Sequence, residues 1–184
     1  DELSSALKNV NAGPPPIEED GGELLDIEQI ADIQAPMLKL HAPAQLSVKV
    51  PENSPVPAGS SQLGLYTWSN GRWTFIGNEQ KGDEVLGRSQ NFSHLKLAAD
   101  LMAPKLEMLS HESGQELQHS RAPVQILVED QGSGVDPEKI SFYVDGKDQD
   151  FEYDASKGIL TWSPSKDISP GPHSFRLKAS DKSG

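Results

Sequence analysis

Three aspartates have the type and spacing that could bind a metal ion. Asp130 and Asp136 bracket a glycine-rich turn, and Asp181 follows a predicted strand that should adjoin the strand beside this turn. Carboxylate oxygens from such loops are ligands that calcium prefers. The alternative, which we favour, is that each side chain accepts hydrogen bonds from its own turn. The sequence therefore leaves two hypotheses for these residues, calcium binding or no cofactor.

A second acidic run, residues 145–150, superficially resembles a calcium loop. Such a loop needs an acidic residue at its twelfth position, where this chain has Ser156, and its glycine is also misplaced. The dipeptide Asp145-Gly146 instead favours a two-residue hairpin turn, which pairs Phe142 with Gln149 and Ile140 with Phe151.

An aromatic face is predicted on an earlier hairpin. Asn70-Gly71 favours a two-residue turn, which sets the register of the flanking strands. The resulting pairs are Ser69 with Arg72, Trp68 with Trp73, Thr67 with Thr74, Tyr66 with Phe75, and Leu65 with Ile76. Alternation then sorts the large rings onto one face and Leu65, Thr67, Thr74 and Ile76 onto the other.

This aromatic face, made of Tyr66, Trp68, Trp73 and Phe75, has two interpretations. Exposed rings can stack on sugars, in which case Asn70 and Arg72 would supply hydrogen bonds. Rings of this size are more often buried, since four of them in water would form an unusual apolar patch. We favour burial and keep carbohydrate binding as the alternative.

The remaining polar residues do not form a recognisable catalytic pattern. The five histidines lack the close spacing of a metal-binding pair, and there is no phosphate loop, dinucleotide fingerprint or Gly-x-Ser-x-Gly motif. A pair of carboxylates that could serve as glycosidase acid and nucleophile is an uninformative match, because carboxylates are abundant in so acidic a chain. We expect a protein that is not an enzyme.

Charge and composition exclude further classes of protein. With 28 Asp and Glu against 16 Lys and Arg, the net charge of −12 repels nucleic acids and anionic membrane surfaces. No apolar run approaches the roughly 18 to 20 residues of a membrane helix, so direct membrane insertion is not expected. The absence of cysteine excludes disulfide scaffolds and thiolate zinc sites.

The elements that must position these residues are short strands. Residues 1–35 are rich in proline, glycine and acids and indicate a flexible acidic arm. Within the arm, the spacing of Leu24, Ile27 and Ile30 fits a short amphipathic helix or an extended segment. Period-two alternation over residues 36–100 predicts a small β-sandwich module.

Residues 101–184 predict a second β-sandwich module, so the fold class is all-β. Alternating strands are separated by Gly, Pro and Asp turns, a pattern typical of two packed sheets. Phe151 and Tyr153 should lie beside the apolar face that forms the core of this module. The predicted core consists of Val124, Ile126, Val128, Ile140, Phe142, Val144, Leu160 or Trp162, Phe175 and Leu177.

Six segments of the second module carry a family resemblance. They are Asp130-Gln-Gly-Ser-Gly-Val-Asp136, Val144-Asp145-Gly146, Tyr153-Asp154, Gly158-Ile-Leu160, Pro170-Gly171-Pro-His173 and Ala179-Ser-Asp181-Lys-Ser-Gly184. In their order, this module resembles the immunoglobulin-like and cadherin-like modules of large bacterial secreted and cell-surface proteins. The resemblance covers roughly residues 103–184. The first module resembles, less specifically, the smaller β modules that accompany them.

The resemblance implies a non-catalytic spacer, adhesion or accessory role, with the protein placed extracellularly, at the cell surface or in the periplasm. Expected partners are neighbouring domains of the same polypeptide, or surface proteins and glycans. Cadherin-like sandwiches hold calcium at module junctions, which is what the resemblance implies for Asp130, Asp136 and Asp181.

One departure concerns the end of the second module. In the family, the Asp-Lys-Ser-Gly turn precedes a final strand, whereas this sequence stops at Gly184. We expect truncation or disorder to account for the difference. The alternative is a partner that supplies the missing strand by β-augmentation.

Overall fold

The structure of the chain is a computed structural model that describes residues 24–32, 38–69, 72–92, 94–117 and 119–184. These ranges contain antiparallel β-strands, one short 3₁₀ turn and no α-helix, so the predicted all-β class is confirmed. The strands are β1 (Leu24–Asp32), β2 (Leu38–Lys49), β3 (Leu63–Ser69), β4 (Arg72–Gly77), β5 (Glu79–Lys81), β6 (Glu84–Phe92), β7 (His94–Asp100), β8 (Lys105–Met108), β9 (Val124–Glu129), β10 (Ser141–Val144), β11 (Lys147–Gln149), β12 (Glu152–Asp154), β13 (Ile159–Trp162) and β14 (Phe175–Lys178).

The chain divides into two compact units. The first contains the described residues up to Met102, together with Gln131–Ser133 and Ser183–Gly184. The second contains Ala103–Asp130 and Gly134–Lys182.

The first unit is built from two antiparallel sheets. One has the strand order β1-β7-β3-β4 and the other β2-β6-β5. Alternation sends every second side chain of these strands toward the facing sheet, where they form one apolar core. Its buried members are Val48, Val50, Val56, Leu63, Leu65, Val85, Leu97 and Ala99.

The β3–β4 hairpin follows the predicted register along most of its length. The pairs from Ser69 with Arg72 to Tyr66 with Phe75 are confirmed, while the turn residues Asn70 and Gly71 lie outside the described residues. The prediction that Leu65 pairs with Ile76 is wrong, because a bulge makes Leu65 pair with Gly77.

Close backbone packing explains the bulge. Gly77 has φ 147°, and a Cβ atom at this position would come within 2.8 Å of both the Gly87 Cα and the Leu86 carbonyl oxygen. A side chain at Gly77 is therefore excluded by the neighbouring strand β6 as well as by its own backbone conformation. The extra residue in β4 places Gly77 where the backbones of β4 and β6 come closest to each other.

The segment β1 settles which of two sequence interpretations holds. Leu24–Asp32 is extended and pairs with β7, so a short helix there is wrong and the extended alternative is confirmed. Ile27 and Ile30 are the extra residues of two bulges in this strand. The predicted arm, residues 1–35, therefore includes a strand, and residues 1–23 lie outside the described part of the chain.

The second unit is also a pair of sheets. Its strand orders are β12-β13-β9-β8 and β11-β10-β14. Every predicted core residue belongs to the cluster between them, with both Leu160 and Trp162 buried, and Phe151 and Tyr153 pack against it as expected. Phe175 and Leu177 are only partly buried.

The β10–β11 hairpin has the predicted turn. Asp145 and Gly146 have φ angles of 50° and 74°, and Phe142 pairs with Gln149. The predicted pair of Ile140 with Phe151 is wrong, because β10 begins at Ser141 and β11 ends at Gln149. The chain then leaves this sheet, since β12 pairs with β13 in the other one.

Candidate functional site

The aromatic face of the first unit lies on the β1-β7-β3-β4 sheet, opposite the face that meets the other sheet. Tyr66 is fully buried there, with an exposed fraction of 0%, in a cluster with Leu24 and Ala98. The Phe75 ring meets Tyr66 edge to face at 5.6 Å. Phe75 also covers Gly64, where a Cβ atom would come within 2.7 Å of its ring. Tyr66 therefore serves as core and cannot contact a ligand.

Trp68 and Trp73 form a cross-strand pair on this face. Their rings meet edge to face with centroids 5.4 Å apart, and both side chains are half-buried. Arg72 is exposed at the end of the hairpin, while Asn70 lies outside the described residues. Of the predicted sugar-binding residues, Trp68, Arg72 and Trp73 thus remain accessible.

A buried lysine lies on this face, and no local pattern in the sequence indicates it. Lys96 pairs with Tyr66 across the strands, its side chain is 3% exposed, and its Nζ atom lies 4.5 Å from the centroid of the Trp73 ring. The Nζ atom also donates to Asp26 Oδ1 at 2.5 Å. Burying an ammonium group is costly unless it is paired, so Asp26 and the Trp73 ring offset part of that cost.

We expect Asp26→Asn to lower the free energy of unfolding by about 1–2 kcal/mol, because it removes a carboxylate that pairs with the buried Lys96 ammonium. The matched control is Asp83→Asn, which removes an exposed ion pair with Lys49 at 3.0 Å in the same unit and should leave stability nearly unchanged. Urea denaturation monitored by circular dichroism measures both. Equal losses for the two variants would contradict the special role of the buried pair.

The second unit contains all three predicted metal ligands. Carboxylate oxygens of Asp130 and Asp181 lie within 4.8 Å of one another. Asp130 Oδ2 accepts from the Gly134 N–H at 2.5 Å, and Asp181 pairs with Val135 in an isolated bridge. The structure therefore brings two of the three predicted ligands together.

Asp136 has a different environment. Its Oδ1 accepts from the Glu138 N–H at 3.1 Å and so caps the 3₁₀ turn at Pro137–Lys139. Its Oδ2 lies 3.5 Å from Lys139 Nζ. These contacts are the turn-capping role that we favoured from sequence.

We expect excess chelator and millimolar calcium to give the same midpoint of thermal unfolding. Asp130 Oδ2 already accepts from the Gly134 N–H, and Asp136 Oδ1 accepts from the Glu138 N–H, so the turns themselves use these carboxylates. Differential scanning calorimetry makes the comparison. A calcium-dependent rise that disappears in Asp130→Asn and persists in Asp136→Asn would instead establish a metal site at Asp130 and Asp181.

The first unit contains a buried aspartate at the end of β7. Asp100 is 2% exposed, and its Oδ2 accepts from the Ser133 N–H at 2.6 Å. A Cβ atom at Gly132 would overlap this carboxylate, which explains the glycine there. Asp100 thereby holds Gln131–Ser133 against its own unit.

His173 and Asp145 form a pair that the histidine spacing did not reveal. His173 Nδ1 lies 2.7 Å from Asp145 Oδ2, and its Nε2 lies 2.7 Å from the Ser169 carbonyl oxygen. Both ring nitrogens face acceptors, which favours the doubly protonated ring. The hydrogen bond to Asp145 accordingly raises the pKa of His173, and the same bond lowers the pKa of Asp145.

The His173–Asp145 pair should make stability depend on pH. The raised pKa of His173 stabilises the fold fully below its ordinary value of 6.5, and this contribution is lost as pH rises through the folded value. The lowered pKa of Asp145 stabilises the fold above its ordinary value of 3.8, and that contribution is lost as pH falls. The pair therefore contributes most between those two pH values.

We expect His173→Gln to lower the midpoint of thermal unfolding most near the middle of this window and least at alkaline pH. The matched control, His119→Gln, changes an exposed histidine of the same unit and should have little effect at any pH. Thermal scans across the pH range test the expectation. A deficit for His173→Gln that is constant with pH would contradict it.

The first unit has a shallow depression of about 240 Å³ beside the bulge in β4. Its lining includes Gln45, Ile76, Asn78 and the exposed Arg88. Small-molecule sites usually enclose about 300–1,000 Å³. The volume of this depression lies below that range.

Comparison with known proteins adds no relative. No family model, curated protein or solved structure matches this chain. Within the described ranges, no helix is long and apolar enough to cross a membrane.

Proposed function

We propose that this chain is a non-catalytic structural or adhesion segment of a larger bacterial polypeptide that acts outside the cytoplasm. The observation that carries the proposal is the strand order of the second unit. An immunoglobulin domain has one sheet in the order A-B-E-D and another containing C, F and G. The order β8-β9-β13-β12 corresponds to A-B-E-D, and the adjacent strands β10 and β14 correspond to C and F.

The organisation of the chain is consistent with this role. Each unit has an apolar core of its own, as expected of modules arranged along a chain. The titratable pairs in the second unit hold turns and loops, as Asp145 does with His173 and Asp136 with the 3₁₀ turn. Neighbouring domains, surface proteins or glycans are the proposed partners, and the role requires no cofactor.

Carbohydrate binding is the second candidate function. It rests on the half-buried Trp68–Trp73 pair with the exposed Arg72 beside it. Aromatic rings at a surface offer a flat apolar area with polar groups at its margin, which suits a sugar ring. The buried Tyr66 reduces this platform from four rings to the accessible ones.

A glycan array distinguishes the two candidates. We expect Arg72→Ala to leave the array profile of the wild-type chain unchanged, because the proposed role does not use the Trp68–Trp73 face. Retention that is lost in Arg72→Ala but kept in Arg88→Ala, a change to another exposed arginine of the same unit, would overturn the proposal in favour of carbohydrate binding. Both substitutions remove an exposed cation and should preserve the fold.

A further inference from the structure

The loop that joins β13 to β14 is attached to the rest of the second unit at two points. It spans residues 163–174 and contains three prolines. Near its middle, the Ile168 N–H donates to the Ser120 carbonyl oxygen at 3.0 Å, and the Ile168 side chain packs against the core. Beside it, Asp167 Oδ1 accepts from Arg121 Nε at 2.8 Å. This first attachment involves no histidine.

The second attachment point is the turn between β10 and β11. The Asp145 N–H donates to the Ser174 carbonyl oxygen at 2.9 Å. In return, the Ser174 N–H donates to Asp145 Oδ1 at 2.9 Å. This reciprocal pair fixes the residue that precedes β14, and it also involves no histidine.

The His173 ring holds the segment between these two points. Its Nδ1 atom lies 2.7 Å from Asp145 Oδ2, and its Nε2 atom lies 2.7 Å from the Ser169 carbonyl oxygen. Residues 170–172, which lie between Ser169 and His173, are exposed and form no hydrogen bond with the described part of the chain. The contact with the ring therefore keeps residues 169–172 in place.

The charge of the ring decides whether it can make both contacts. A carboxylate oxygen and a carbonyl oxygen only accept hydrogen bonds, so each contact needs an N–H group on the ring. The charged ring has two N–H groups, whereas the neutral ring has one and presents a lone pair to the other acceptor. Since a bond to an ionised acceptor is the stronger one, the neutral ring keeps Asp145 and loses Ser169.

The Asp145 carboxylate is the charged group that faces the ring from the β10–β11 turn. Its hydrogen bond is the largest cause that raises the pKa of His173, followed by the bond to the Ser169 carbonyl oxygen. Asp167 forms its ion pair with another loop. Lys147 and Lys166 are exposed, and neither forms an ion pair with the residues that the structure describes. The His173 side chain is 19% exposed, so water reaches it.

We propose that residues 169–172 are a pH-sensitive latch, closed while the His173 ring is charged and open when the ring is neutral. Opening releases the Ser169 carbonyl and the exposed residues that follow it, while Ile168 and Ser174 stay attached. The sandwich remains folded, because neither attachment point uses the ring. The shape of this end of the second unit therefore changes as pH rises through neutrality. The latch does not depend on the function proposed above.

Nuclear magnetic resonance of the full chain tests the latch. The ring carbon shifts of His173 report its charge, and the carbon–proton NOE of the Gly171 Cα group reports its motion on the picosecond to nanosecond timescale. We expect Gly171 to become more mobile as pH rises, with the same midpoint as the titration of the ring. The Ile168 amide should stay protected from hydrogen exchange throughout this transition.

Two variants separate the latch from other effects of pH. Asp145→Asn removes the ionised acceptor but keeps Oδ1 for the Ser174 N–H, and asparagine tolerates the φ of 50° at this position. We expect it to lower the midpoints of His173 and Gly171 together, by about one pH unit. His173→Gln should leave Gly171 mobile at every pH, whereas the exposed control His119→Gln should keep the wild-type transition.

Three results would overturn the latch. In the first, Gly171 is equally rigid on both sides of the His173 titration. In the second, the two midpoints differ in the wild-type chain, or Asp145→Asn moves one of them without the other. In the third, the Ile168 amide loses its protection at the same pH, which would show that the unit unfolds as a whole and that no local latch exists.

Discussion

Burial of one apolar layer between two sheets is the constraint on which the second unit depends. Val128, Phe142 and Leu160 come from three different strands and are all fully buried in that layer. Alternation directs every second residue of each strand inward. Turns such as Asp145-Gly146 reverse the chain and bring the strands together. Where the layer ends, at β8, the apolar side chains of Leu106 and Met108 remain exposed.

The first unit differs from the second, since one of its sheets has apolar groups on both faces. One face contributes Leu65 and Leu97 to the core between the sheets, and the other has Tyr66 and Phe75. Placing Lys96 on that second face makes its charge part of the packing, held by Asp26 and the Trp73 ring. The aromatic cluster resembles a binding platform, but most of its rings pack inside the unit and stabilise it.

The acidic side chains show why composition alone does not identify a site. Asp136 and Asp145 both lie in turns that could belong to a metal site, yet the first caps a 3₁₀ turn and the second holds His173. Each contact satisfies backbone or ring donors that the turn itself creates. Asp130 and Asp181 are close to each other because of strand pairing beyond the turn that bears Asp130.

The amino-acid sequence by itself determined the fold class, the core of the second unit and most of the β3–β4 register. These follow from alternation and turn chemistry, which act between residues close in the chain. Tertiary structure alone decided the strand at Ile27, the bulge before Gly77 and the partnership of Lys96 with Asp26. It also decided the exposure of Leu106, which an alternating sequence would assign to a core. Such features depend on which distant strand lies opposite a residue, and no local pattern specifies that.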